Sequence, residues 1–199
     1  MIHKIANLLR DEIKDLDFVD IAVGIAKPTI VKVPTEDGSI EKRVPMALRD
    51  VTDPCDPHEL YRLVPDTTKL SIHWWEDNGI DLTDENTYYY FSRASLRLIS
   101  WWNLKKISSV LTDASPLVAN LISNIPDNLD NTDYITQIQV RFAGTEPEGA
   151  NLVSQYNFDE GENQFTTFPY VFTGMNYEID FAFTKNCVDA VILNPDICT

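Results

Sequence analysis

The chain has 199 residues, a formal net charge of −15, 44% apolar residues and 11% aromatic ones. That length suits a single domain that buries roughly 70% of its unfolded surface, and no apolar run approaches the ~18 to 20 residues of a membrane span, so a soluble chain is expected. So acidic a surface repels phosphate, which argues against a nucleic-acid backbone binder, and Cys55, Cys187 and Cys198 have no paired spacing for a disulfide framework.

The first residues carry a charge every few positions and lack a small-residue cleavage site, unlike a signal or transit peptide. Residues 2–16 read as an amphipathic helix, with Ile2, Ile5, Ala6, Leu9, Ile13 and Leu16 at three-to-four spacing. Residues 19–26 read as a strand whose end Pro28 restricts, and residues 29–33 and 39–44 as a hairpin around Asp37-Gly38. Four prolines and many acids make residues 45–68 a long surface connection, with a short helical turn at 59–64. Strand pattern resumes at 69–76, and Asp77-Asn78-Gly79 is expected to end it as a turn.

Residues 88–104, YYYFSRASLRLISWWNL, are the expected central strand. Leu96, Leu98, Trp102 and Leu104 alternate with Arg97, Ile99, Trp101 and Asn103. Both sets contain apolar residues, so the second face must be covered too, by another part of the chain or another subunit. Ser115-Pro116 opens a helix over 115–125. Residues 134–142 and 177–185 alternate as strands, with Tyr134, Thr136, Ile138, Val140 and Phe142 as the core face of the first. Between them, residues 143–167 read as an extended loop or arm. The expected architecture is one α+β domain over 1–199, a mostly antiparallel sheet with two amphipathic helices packed on it, plus a hairpin and the long loop.

Chemistry-bearing patterns are sparse. Cys55-x-x-His58 lacks the second pair that a structural zinc site needs. His3 reads as a solvated helix position, and His73 as a surface or interface histidine rather than a catalytic base. The seven glycines do not repeat at phosphate-loop spacing, and no nucleophile elbow is present. No catalytic, cofactor-binding or metal-binding residue is therefore assigned, and an enzyme is not expected.

Three segments carry a resemblance: the N-terminal amphipathic helix, LRLISWWNLKKI at 96–107, and FPYVFTGMNYEIDFAF at 168–183. With the order of elements, they resemble the head-to-tail connector and tail-terminator proteins of tailed bacteriophages, and more closely the neck ring proteins of crAss-like phages. The resemblance implies a structural virion protein, made in the host cytoplasm, forming a homo-oligomeric ring of about six or twelve copies. It implies contact with neighbouring neck, portal-side and tail proteins, DNA passing without specific binding, no cofactor and no membrane. Residues 45–68 and 143–167 have no placed counterpart in that group. Two other readings remain: an acidic, DNA-mimic-like binding or inhibitor protein with carboxylates arrayed on one exposed face, and a carbohydrate-binding module with Trp75 or Trp101 open to solvent.

Two sets of residues follow as candidates. Trp75, Ile99 and Trp101 lie out of phase with their strands' main core residues and are expected to be covered by a neighbouring subunit, or failing that by the chain's own loops. Glu146, Glu148, Asp159, Glu160 and Glu162 lie in a stretch without basic residues; if the chain is a neck ring, as the resemblance implies, some of them are expected to line the DNA channel or its rim, the alternative being that they solubilise a flexible loop.

Overall fold

The structure is a computed structural model that describes residues 1–35, 38–48, 60–132, 134–146, 150–158 and 165–185. Helix α1 (Ile2–Ile13) leads into β1 (Ile21–Thr35), β2 (Gly38–Leu48), β3 (Leu60–Arg62), β4 (Ser71–Glu85) and β5 (Tyr89–Asn103). A single turn α2 (Leu104–Ile107), helix α3 (Ser115–Asn124), β6 (Ile135–Glu146), a 3-10 turn (Ala150–Val153) and β7 (Tyr170–Thr184) follow. The seven strands form one sheet in the order β3-β2-β1-β4-β5-β7-β6. Every pairing is antiparallel except β1 with β4, so the fold is α+β on a mostly antiparallel sheet.

β5 is the centre of the fold. Its residues pair with β4 on one side and with β7 along its whole length on the other. Directly opposed residues of an antiparallel pair share a face. The register Trp75↔Leu98 and Ser71↔Trp102 therefore sets Trp75, Leu98 and Trp102 on one face, while Trp74↔Ile99 and Ile72↔Trp101 set Ile72, Trp74, Ile99 and Trp101 on the other.

The first face is covered by helices. Ile2, Ile5, Ala6, Leu9 and Ile13 of α1 and Leu117 and Leu121 of α3 join Trp75, Leu96, Leu98, Trp102, Met175, Tyr177 and Ile179 in one apolar cluster. Burying each Ile, Leu or Met side chain among them contributes roughly 1.5–3 kcal/mol. Gly24 leaves room for the Asn7 side chain, whose Oδ1 occupies the place a Cβ there would take.

The second face is covered by the chain between β6 and β7. Leu152, Val153, Tyr156, Phe158 and Phe165 pack on Ile72, Trp74, Ile99, Trp101 and Phe172. Phe158 stacks on Phe172 at 5.5 Å, Tyr170 stacks on Trp101 at 5.5 Å, and Tyr156 meets Trp74 edge-on at 6.2 Å.

The register corrects the expected apolar patch. Trp75 does not share a face with Ile99 and Trp101: it lies under the helices, on the opposite side of the sheet from them. All three are fully buried within one copy, covered for Ile99 and Trp101 by the segment expected to be an arm. The physical reason is the composition of 150–172, whose Leu, Val and aromatic residues match the apolar half of the face beneath them.

Several boundaries differ for local reasons. β1 runs through Pro28 because of where that proline's nitrogen points. Arg43, opposite Ile30, turns both backbone groups away from β1, its carbonyl accepting from Asn157 N and its N–H reaching Asn157 Oδ1. By the two-residue period, Pro28 and Pro34 also face outward, where no ladder bond is lost. Residues 60–62 form an edge strand rather than a helical turn, and β2 reaches Leu48; of the rest of the expected connection, 63–68 is irregular and 49–59 lies outside the described residues. Residues 77–79 do not end β4. They form a bulge, with Gly79 at φ +124°, after which pairing with β5 resumes at Ile80↔Ala94.

A second bulge sits in β6. Gln137 at φ 56° inserts a residue, so Ile135 joins Ile138 and Val140 in the first-face cluster and Thr136, an expected core residue, is only half-buried; Phe142 keeps the phase of Val140, its ring 5.6 Å from Tyr177, but is 38% exposed. At the start of α3, the Asp113 carboxylate accepts from Ser115 N at 2.8 Å, so Asp113 provides the capping contact expected of Ser115.

Trp101→Ala is expected to destabilise the isolated chain by ~3–5 kcal/mol, read as a lower urea midpoint. An unchanged midpoint would mean that the indole is not packed by its own chain.

Candidate functional site

A polar cleft opens where β1 leaves β4. Their last paired residues are Ile25 and Trp75, and beyond them a cleft of about 360 Å³ is lined by residues that include Lys27, Glu76, Asp77, Arg97, Gln155 and Tyr156. Glu76, only 6% exposed, accepts five hydrogen bonds. Oε1 takes Tyr156 Oη at 2.5 Å, Gln155 Nε2 at 3.0 Å and Trp74 Nε1 at 3.3 Å. Oε2 takes Arg97 Nη2 at 2.5 Å and Nε at 3.0 Å. The other side of the Arg97 guanidinium reaches Glu146 Oε2 at 3.2 Å, and Asn176 Nδ2 donates to Glu146 Oε1 at 3.1 Å.

Burial pulls the Arg97 pKa down, but its bonds to Glu76 and its attraction to both carboxylates outweigh that and hold it above the ordinary value. Burial, followed by the bond to the Glu76 carboxylate, pushes the Tyr156 phenol up. Chemically the arrangement is a satisfied charge network. Its groups bond to one another, and it pins the 150–156 segment to the sheet by Gln155 and Tyr156.

The network marks the boundary on the second face between the covered apolar half and an open charged half. There Arg93 bonds Asp180 at 2.7 Å, and Arg141 bonds Glu178 at 2.8 Å and approaches Asp180 at 3.5 Å. Of the five candidate channel or rim residues, Glu146 is paired with Arg97. Glu148, Asp159, Glu160 and Glu162 lie outside the described residues. The described carboxylates of this open half alternate with arginines, which is not the unbroken acidic array of a DNA mimic. Trp75 and Trp101, each 0% exposed, offer no platform to a sugar.

His73 departs furthest from its sequence reading: it is fully buried, beside Trp102 at a ring separation of 4.7 Å. Ser71 Oγ bonds the Phe18 carbonyl at 2.7 Å, and a carbonyl only accepts, so the Ser71 proton points there. Ser71 Oγ must then accept from His73 Nε2–H at 2.7 Å, leaving His73 Nδ1 to accept from Ser100 Oγ at 2.8 Å. The chain Ser100–His73–Ser71–Phe18 is complete with a neutral ring, and burial lowers the His73 pKa to about 3.

Among the described residues no group of three His, Cys, Asp or Glu side chains is placed to hold a metal ion, and no helix is long and apolar enough to cross a membrane. Cys55 and His58 lie outside the described residues. Sequence reasoning missed the Glu76 network. The available signal was Arg97 next to Ile99 and Trp101 on one strand face, which needed a carboxylate opposite it; Glu76 is its register partner.

Two surfaces are left without cover. In the β1–β2 hairpin no described side chain over residues 27–41 is buried, and Ile30 is 60% exposed. In β4 every residue over 77–85 is exposed, including Ile80 at 39% and Leu82 at 60%, and among the described residues this edge pairs only with β5. Searches for similar proteins found no matching family model, no matching curated protein and no matching solved structure.

Two measurements check the buried groups. Arg97→Ala leaves Glu76 buried without its cation and is expected to cost ~3–5 kcal/mol by urea denaturation, against near-neutrality if the pair is solvated. For His73, the folded pKa of about 3 lies below the unfolded value of 6.5, so on acidification the unfolded chain gains a proton that the folded chain does not. Stability contributed by the neutral ring is complete above pH 6.5 and falls as pH drops toward 3. The loss is ~2 kcal/mol between about pH 7 and pH 5. His73→Gln should remove that step, and an identical pH slope in both proteins would contradict it.

Proposed function

We propose that this chain is a structural subunit of a homo-oligomeric ring in the head-to-tail connector of a tailed bacteriophage, joining portal-side and tail components around the DNA passage. The observation that carries the assembly part of this reading is the β1–β2 hairpin, whose residues 27–41 include no buried side chain among those described. An isolated two-stranded hairpin is only marginally stable in water, and this one presents Ile30 while Val31, Val33 and Ile40 are half-buried. Such an arm gains order by lying on another molecule. The connector part rests on the resemblance of 96–107, 168–183 and the N-terminal helix to neck ring proteins. A net charge of −15 suits a passage through which DNA slides without adhering.

The polar chemistry described above is consistent with a structural role. The buried carboxylate of Glu76 is saturated with donors, and the Ser71–His73–Ser100 chain is sealed in the core. Neither presents a free base to a substrate.

The test is the copy number of the purified chain. Light scattering after size exclusion and electron micrographs of single particles are expected to give closed rings of uniform copy number. A protein that stays at 22.7 kDa at every concentration would overturn the reading.

A further inference from the structure

The ring reading leaves open which surfaces meet. We propose that the β1–β2 hairpin of one copy lies along the free β4 edge of the next, joining copies head to tail; this rests on the ring reading. The two surfaces complement each other in charge and polarity. The β4 edge presents Asp77 with exposed Ile80 and Leu82 on one face and Asp81 and Asp84 on the other, and none of these aspartates forms an ion pair among the described residues. The hairpin presents Ile30 and an exposed Lys32, also without an ion pair among the described residues, with exposed Arg43 opposite Ile30 and exposed Glu41 opposite Lys32 on the same face.

Backbone geometry narrows the contact further. On the outward edge of β1, Pro28 and Pro34 have no N–H to give, and the period leaves Ile30 and Lys32 as the outward-facing positions between them that keep one. The side chains that complement β4 thus belong to the residues whose backbone donors are free. Pairing β4 with a second β4 instead would set its aspartates against one another, which disfavours a two-fold contact. Within one copy the two surfaces do not meet, because β1 and β4 stop pairing after Ile25↔Trp75. Contact between unlike surfaces on successive copies is heterologous, and it closes into a ring when the rotation per copy permits.

The test uses Ile30→Asp and Leu82→Asp, each at a side chain 60% exposed, so both variants are expected to keep the wild-type melting temperature. Each variant alone should drop from the ring to a species of 22.7 kDa by light scattering. An equimolar mixture should give a dimer and nothing larger, because the Ile30→Asp copy keeps a working β4 edge and the Leu82→Asp copy a working hairpin. Rings retained by both single variants, or a mixture that stays monomeric, would overturn this junction while leaving the ring itself standing. A wild-type protein that is monomeric throughout would overturn both.

Discussion

The backbone ladders that hold β5 between β4 and β7 decide where every tryptophan of the chain goes. With Trp75 opposite Leu98 and Trp74 opposite Ile99, the sheet is apolar on both sides around these residues, and neither side can face water there. The chain meets that constraint with two different covers. One is helical, with a regular apolar stripe from α1, and the other is an irregular strap of aromatic residues between β6 and β7. Covering both faces consumes the segment expected to reach a neighbour, so any assembly has to use what remains: the hairpin and the β4 edge.

Glu76 and His73, caught between these layers, are satisfied in place, in ways that stiffen the strap and the core, whereas the Trp75 and Trp101 indole nitrogens and the Tyr177 hydroxyl are buried without a partner among the described residues. Glu76 gathers donors from three elements, so removing any one of them leaves a buried carboxylate short of partners. His73 sits in a chain of hydroxyls whose proton directions follow from one backbone carbonyl. Both are arrangements in which a charge change is costly, and that cost couples the fold to pH through His73 and to the integrity of the strap through Arg97.

Much of the fold was legible in the sequence because period carries it. The alternation over 88–104 and 177–185 placed β5 and β7, and three-to-four spacing placed α1 and α3. What period could not carry was register and bulges. Trp75 and Trp101 both looked out of phase, but phase within one strand does not fix which face of the sheet it corresponds to; the pairing with β5 does. Asn78-Gly79 read as a turn because a glycine at positive φ serves a bulge equally well. The strap was illegible for another reason: its residues lack period since they fill a surface set by other strands. Of the candidate site, Glu146 was singled out for its charge, but its partner Arg97 is far away in sequence.

Labour is divided along the chain, with the apolar parts of both sheet faces covered within one copy and the hairpin left for a neighbour. Amide hydrogen exchange, followed by mass spectrometry on dilute dissociated chains and on the assembled protein, tests it most directly. The account predicts that amides of residues 150–158 are protected in both samples, whereas those of residues 29–40 exchange quickly when dilute and become protected on assembly. Rapid exchange of 150–158 in the dissociated chain, lost only on assembly, would contradict it, because the second face would then owe its cover to a neighbour.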